Sequence, residues 1–222
     1  MPSFDHLIFD CDGVIVDSEI VATRISLRLL RPYGYQADEL THAERYAGLL
    51  EHEILTRLRE DEGLTLPPDF GRELVSEITS QMFEALQPVP GIRDLVLQLD
   101  RPLTVVSNSK IPHVRRSLEL AGVREAVGDR IFSAEQVAQP KPHPDVYLHT
   151  VGSMHYDPQR TLVVEDSVAG VTAAKAAGLA VIGFLGASHI SASHGARLKA
   201  VGADALADDA NALQDLLHAW LA

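Results

Sequence analysis

Apolar residues along this chain follow two rhythms. Near the start a short continuous run, Leu7-Ile8-Phe9, breaks off into Asp10, Cys11, Asp12 and Gly13. From about Ser18 to Leu86 the apolar positions recur at helical spacing, as in "EIVATRISLRLLRPYG", "HEILTRLRED" and "RELVSEITSQMFEAL". Turn formers at Pro32-Tyr33-Gly34, Gly48 and Pro67-Pro68 separate these pieces. From "PVPGIRDLVLQL" onward, strand-like and helix-like stretches alternate. The strands are "LTVVSN", "RIFS", "TLVVEDS", "LAVIGFL" and "ADALA"; the helices are "HVRRSLELAG", "PDVYLHTVGSM", "VAGVTAAKAAG" and "NALQDLLHAWL".

Strand–helix alternation predicts a parallel sheet covered by helices on both faces. The expected class is therefore α/β. Residues 1–17 and 87–222 form the sheet core, and residues 18–86 form an all-helical domain inserted after the first strand. Neither repeats nor low-complexity tracts interrupt this plan.

Composition narrows the class. The chain has 222 residues, 46% of them hydrophobic, enough for a sizeable core with or without a second small domain. A formal charge of −12 argues against nucleic acid and anionic membrane surfaces as partners. The one cysteine, Cys11, has no intrachain disulfide partner. Asp5 and Asp10 interrupt the early apolar stretch, so no signal peptide is expected. No apolar run approaches the ~20 residues of a membrane helix. A soluble cytoplasmic protein with no obligate protein partner is the expectation.

Three predicted strands end in polar groups. "LIF" runs into Asp10 and Asp12, "LTVV" into Ser107 and Asn108, and "TLVV" into Glu165 and Asp166. In open parallel sheets ligands bind outside the carboxyl ends of the strands. Two carboxylates at i and i+2 of an extended chain share a side, roughly 6–7 Å apart. They repel unless a cation or a shared proton compensates. Lys141, in "AQPKPHPD", lies on a loop stiffened by Pro140, Pro142 and Pro144. Carboxylate oxygens suit Mg²⁺, while a lysine, a hydroxyl and backbone amides suit phosphate. Each piece alone has a plainer reading as a turn, a helix cap or a solvated lysine. Their convergence on one edge is what points to a site.

With these residues in hand, the chain resembles the haloacid dehalogenase superfamily of phosphohydrolases. It is similar to the subgroup that includes β-phosphoglucomutase, phosphoglycolate phosphatase and 6-phosphogluconate phosphatase. The likeness rests on "FDCDGVIVDSE", "VVSNS", "KPHPD" and "VVEDSVAGVTAAKAAG". It implies a Rossmann-like core, a helical cap and an Mg²⁺-dependent aspartyl-phosphate mechanism on a small phosphorylated metabolite. By this resemblance Asp10 is the nucleophile and Asp12 the general acid–base. Asp10, the Asp12 backbone carbonyl and Asp166 are the metal ligands, with Glu165 behind them or as an occasional ligand. Ser107, Asn108 and Lys141 hold the phosphoryl group, with backbone amides of Cys11, Asp12 and Asn108 assisting.

Cys11, between the two aspartates, is expected to pack on the opposite face. His189 and His194, in "SHISASHGA", are expected in a surface loop. Gly170 reads as a close helix approach and Gly178 as a helix stop. A response-regulator receiver shares the acidic pair, the hydroxyl and the Lys-Pro. It is excluded by length, by the acidic pair lying on the first strand, and by the helical insert. Within the family, the alternative to a phosphatase is a β-phosphoglucomutase-like mutase. Such mutases resemble one another in a Lys-Gly and a following Arg that grips the second phosphate. Here Ala47 precedes Gly48, and Glu51 aligns with that Arg, in "RYAGLLEHE". A phosphatase acting on a sugar or sugar-acid phosphate is therefore expected, with Arg45, Glu51 and Lys110 as candidate specificity residues. The dehalogenase reaction is disfavoured by Asp12.

Overall fold

Residues 4–46, 49 and 51–221 are described by a computed structural model, the side chain of Glu51 excepted. The first strand, β1 (His6–Phe9), is followed by four helices: α1 (Ser18–Leu30), α2 (Glu39–Tyr46), α3 (Glu51–Glu60) and α4 (Phe70–Ala85). The remaining strands are β2 (Leu103–Ser107), β3 (Ile131–Ser133), β4 (Thr161–Glu165), β5 (Ala180–Phe184) and β6 (Ala205–Ala207). The helices α5 (Ile92–Gln98), α6 (Ile111–Leu120), α7 (Arg124–Val127), α8 (Asp145–Met154), α9 (Val168–Ala176), α10 (His194–Ala200) and α11 (Ala210–Trp220) complete the chain.

All six strands are parallel, in the order β3-β2-β1-β4-β5-β6. Successive strand residues point to opposite faces. Leu7, Phe9, Val105, Val164 and Phe184 pack on one face, against Ile92 and Leu95 of α5, Leu118 of α6 and Leu213 of α11. Ile8, Val106, Val163 and Val181 pack on the other, against Tyr147 of α8, Val171 of α9 and Leu198 of α10. Both faces are buried, which is why these strands read as continuous apolar runs rather than alternating ones. Cys11 is buried within the first of these clusters, in the packing role expected of it.

The helical insert carries a core of its own, built from Leu27, Leu30, Tyr35, Tyr46, Leu58, Phe70 and Leu74. Its roots are shared with the sheet: Ile20, Val21 and Ile25 of α1 and Met82 of α4 join the core beneath. Two linkers run side by side there. The Asp17 amide donates to the Gln87 carbonyl at 2.9 Å, and the Val89 amide to the Ile15 carbonyl at 3.0 Å.

One expectation fails. His194 does not lie in a loop but opens α10, a helix the sequence reading passed over. Its signal was present in Leu198, fully buried, and in Gly202, which stops the helix at φ 104°. The helix covers the sheet because Gly195 presents no side chain to Leu185 and Leu206, which a Cβ there would meet at 3.1 and 3.2 Å.

Candidate active site

The strand order reverses direction of growth between β1 and β4, and ligands of open α/β sheets bind at such a switch point. Asp10 lies one residue beyond β1, its amide still bonded to the Val164 carbonyl at 3.0 Å. Glu165 ends β4 and Asp166 follows it. Adjacent ladders thus bring Asp10, Glu165 and Asp166 together, all buried, with one carboxylate oxygen from each within 4.8 Å of the others. Past Asp12 the chain must turn back at once. Gly13 does this at φ 83°, and a Cβ there would lie 1.9 Å from Asp166 Oδ2, so conformation and space both demand glycine. Gly170 is the close approach expected of it: a Cβ there would lie 1.7 Å from Glu165 Oε1.

Lys141 enters this acidic cluster from the side. Its Nζ donates to Asp10 Oδ1 and Glu165 Oε1, each at 2.7 Å, and to the Val106 carbonyl at 3.0 Å. The backbone of Lys141 is clamped by Asn108: the Lys141 amide donates to Asn108 Oδ1 at 3.0 Å, and Asn108 Nδ2 donates to the Lys141 carbonyl at 3.2 Å. The Asn108 side chain therefore holds the lysine loop. Tyr147 donates to Glu165 Oε1 at 3.1 Å, with its ring 5.0 Å from the Lys141 ammonium. On the other side, Glu165 Oε2 accepts from the Ser167 amide and hydroxyl, both at 3.0 Å.

Asp12 stands apart from the cluster and is held by hydroxyls. Ser18 donates to Oδ1 at 2.8 Å; Ser107 and Ser109 donate to Oδ2 at 3.1 and 2.8 Å. The two aspartates separated by Cys11 thus sit in different surroundings. Asp10 faces a buried ammonium, whereas Asp12 faces three rotatable hydroxyls.

Three buried carboxylates share one lysine, and Asp166 Oδ1 is buried without a hydrogen-bond partner. Burial, reinforced by Glu165 and Asp12, pushes Asp10 up to about 8 despite Lys141. Burial first, then Glu165, Asp10 and Glu19, holds Asp166 well above the usual carboxylate range. Burial draws Lys141 down, but Asp10 and Glu165 outweigh it and keep the ammonium charged. Excess negative charge, hard oxygen donors and an orphaned oxygen are what a divalent cation such as Mg²⁺ or Ca²⁺ relieves.

This imbalance has a measurable signature. An Asp10 that titrates near 8 when folded, against 3.8 in the open chain, binds more protons folded than unfolded between those values. Its contribution to stability is full below pH 3.8 and is lost as pH rises through about 8. Without divalent cation, Asp10→Asn should therefore show a shallower decline in urea midpoint from pH 5 to about 8 than the wild type. Parallel curves would show that Asp10 does not hold the excess proton.

Against known proteins, a family model described as "Haloacid dehalogenase-like hydrolase" matches residues 7–184. The chain belongs to this family. Among curated relatives it is 26% identical over 190 residues to a 6-phosphogluconate phosphatase of Escherichia coli, covering 85% of this chain and 86% of that one. A solved haloacid dehalogenase-like protein of unknown function from Agrobacterium tumefaciens superposes with a TM-score of 0.91 at 33% identity, covering 98% and 99% of the two chains. A family hydrolase from Deinococcus radiodurans, solved with bound phosphate and sodium, gives 0.87 at 28% identity, covering 99% and 97%. The strand order and the acidic edge thus belong to a haloacid dehalogenase-like fold.

Of the residues singled out in the sequence, Asp10, Asp12, Ser107, Asn108, Lys141, Glu165 and Asp166 converge on one edge. Of the specificity candidates, Arg45 and Lys110 fall within the described residues. Arg45 is spent on an ion pair with Glu62 inside the insert. Lys110 is exposed at the N-terminus of α6. Ala47, Gly48 and the Glu51 side chain lie outside the described residues.

The two histidines expected in a surface loop instead close the far side of Asp166. His189 is buried, with Nε2 3.5 Å from Asp166 Oδ2, and His194 Nε2 donates to the Asp166 carbonyl at 2.6 Å. The polar composition of "SHISASHGA" disguised this burial, because the segment folds back over the strand ends. Ser109, Ser18 and Tyr147 carried no expectation of a site role, whereas Ser167, readable as a helix cap, does cap α9 by accepting from the Gly170 amide. A hydroxyl after Ser107-Asn108 and another after Asp17 were the available signals.

Proposed function

We propose that this chain is a Mg²⁺-dependent phosphatase that hydrolyses a small sugar or sugar-acid phosphate through an aspartyl phosphate on Asp10. The observation that carries the reading is the division of labour between two neighbouring carboxylates. Asp10 is paired with a lysine inside an acidic cluster, and Asp12 is held by three hydroxyls outside it. Family membership and the phosphatase name of the Escherichia coli relative support it.

Asp10 and Asp166, with Glu165 beside them, would hold the ion. When bound, Mg²⁺ supplies positive charge that keeps the carboxylates ionised and draws in phosphoryl oxygens. Asp10 attacks phosphorus through a carboxylate oxygen, and the phosphorus–oxygen bond to the leaving group breaks. Asp12 gives that alkoxide its proton. Asp12 then takes a proton from water as the water attacks the acyl phosphate, releasing phosphate and restoring Asp10. Lys141 orients Asp10 and balances charge on the phosphoryl oxygens, with Ser107 and backbone amides at the strand ends. The helical insert serves as a cap over this site, moving on the paired linkers near Asp17 and Gln87.

The test is a screen of phosphorylated metabolites reading released phosphate. Sugar and sugar-acid phosphates should be hydrolysed with Mg²⁺. Chelator should remove most turnover, Mg²⁺ should restore it, and Ca²⁺ should inhibit, because Ca²⁺ takes more ligands at longer distances. Full turnover in excess chelator would overturn the metal-dependent reading. Conversion of β-glucose 1-phosphate to glucose 6-phosphate faster than phosphate release, with a bisphosphate primer, would replace the phosphatase by a mutase.

A further inference from the structure

The segment between β5 and α10 converges on a single residue. His189 brings Nε2 to 3.5 Å from the Asp166 side chain, while His194 donates to the Asp166 backbone carbonyl at 2.6 Å. The segment is itself held at several points. The Ser188 amide donates to the Asp17 carboxylate at 3.2 Å, beside the linker into the insert. Further along, Ser191 and Ser193 donate to Glu44 Oε1 on α2 at 3.0 and 2.9 Å. His189 is thus fixed from both ends against a carboxylate whose other oxygen, Oδ1, is buried without a partner.

A histidine that only fills space here is a poor choice. His189 is 7% exposed and its Nδ1 is buried with no hydrogen-bond partner. Burying an unpaired ring nitrogen costs stability that an apolar side chain of similar size would not lose. The ring is therefore kept for its other nitrogen, which addresses Asp166 Oδ2. That oxygen also lies against Gly13, where a Cβ would come within 1.9 Å. Oδ2 of Asp166 thus lies between His189 and Gly13, while Oδ1 is buried without a partner.

We propose that His189 is a positioning residue for Asp166: its Nε2–H steadies Oδ2, so that the free Oδ1 is presented to a divalent cation. His194, through the Asp166 carbonyl, fixes the backbone on which that carboxylate turns. The inference rests on the reading of Asp166 as a metal ligand. Outer partners of this kind typically change metal affinity by about 10–100-fold.

The experiment titrates Mg²⁺ into the wild type and into His189→Ala, His189→Gln and His189→Met by calorimetry, with the Mg²⁺-induced rise in Tm as a second readout. Metal-free circular dichroism and unfolding midpoints select the folded variants. His189→Met should weaken Mg²⁺ binding about 10-fold or more, and His189→Gln, which retains an N–H, should recover much of it. His189→Ala should behave as His189→Met does. Turnover should follow, with the larger share of the loss appearing in the Mg²⁺ concentration needed for half activity rather than in kcat at saturating Mg²⁺. Wild-type affinity in His189→Met would overturn the proposal, as would equal weakening in His189→Gln and His189→Met. Absence of Mg²⁺ binding by the wild type would instead overturn the metal-dependent function itself. Where His189→Ala does not fold, the comparison of Gln with Met decides alone.

Discussion

Asp10→Asn is expected to abolish phosphate release, by roughly 10⁴-fold or more, the scale seen when a covalent nucleophile is removed. The amide has no carboxylate oxygen with which to attack phosphorus and form an acyl phosphate. The substitution is close to isosteric, and its carbonyl oxygen can still accept the hydrogen bond that Lys141 now gives Asp10 Oδ1 at 2.7 Å. It also removes a charge from a cluster that already holds more carboxylates than its lysine can balance. The variant should therefore fold, and its unfolding midpoint without divalent cation should equal or exceed that of the wild type at pH 8. Activity is read as released phosphate from the best substrate of the metabolite screen. Retention of a tenth of wild-type turnover by a folded variant would remove Asp10 from the nucleophile's role. Loss of activity together with loss of fold would leave Asp10→Glu as the deciding variant. It keeps the carboxylate but displaces it by about a carbon–carbon bond, and on this mechanism it should be nearly as inactive.

The frame of this site was open to inspection in the sequence because parallel sheets convert position along a strand into position in space. An apolar run that ends in a carboxylate must deliver that carboxylate to the sheet edge. Two such runs, ending at Asp10 and Glu165, and a third ending in the Ser107 hydroxyl therefore point to one edge. The register fixes the rest: Phe9 pairs with Val164 and with Val105, so the residues just beyond them fall side by side. Lys141 was legible for another reason. Flanking prolines stiffen its loop, which marks the lysine as a phosphate partner in the sequence; its pairing with Asp10 and Glu165 appears only in the fold.

What the sequence concealed lies in contacts made across long separations by side chains of ordinary appearance. Tyr147 is a buried core residue of α8, yet its hydroxyl reaches Glu165. Asn108 reads as a helix cap or a phosphate contact, whereas its amide clamps the backbone of Lys141. His189 and His194 were misplaced because a polar run of Ser and His has no hydrophobic periodicity to betray burial. Their burial follows from the path of the segment after β5, which no local pattern encodes. The same limit applies to the link between Glu44 and the Ser191–Ser193 turn, which joins the helical insert to the core. Core and insert periodicity announce two bodies; only the fold tells which residues meet between them.

The second large effect separates the two aspartates by step. Asp12→Asn preserves the shape of the side chain, and its amide oxygen can still accept from Ser18, Ser107 or Ser109, as Asp12 now does. What it loses is the ability to give and take a proton, an effect of about 10²–10⁴-fold. On an alkyl phosphate such as a sugar phosphate, the leaving alkoxide is a strong base and departs slowly without that proton. Formation of the aspartyl phosphate then limits the rate, and kcat/KM should fall by the full factor. Nitrophenyl phosphate behaves differently, because nitrophenolate leaves without help. Its kcat/KM should fall much less, while hydrolysis of the intermediate, which needs a base to activate water, becomes slow. Mixing Asp12→Asn with nitrophenyl phosphate should then release a burst of nitrophenolate approaching one equivalent per active site, followed by a slow steady rate. Rapid-mixing absorbance measures the burst, and steady-state phosphate release measures the alkyl substrate. An unchanged rate on the alkyl phosphate would end the acid–base assignment. Equal losses in kcat/KM on both substrates, with no burst, would show that Asp12 orders the site through its hydroxyl partners rather than moving the proton.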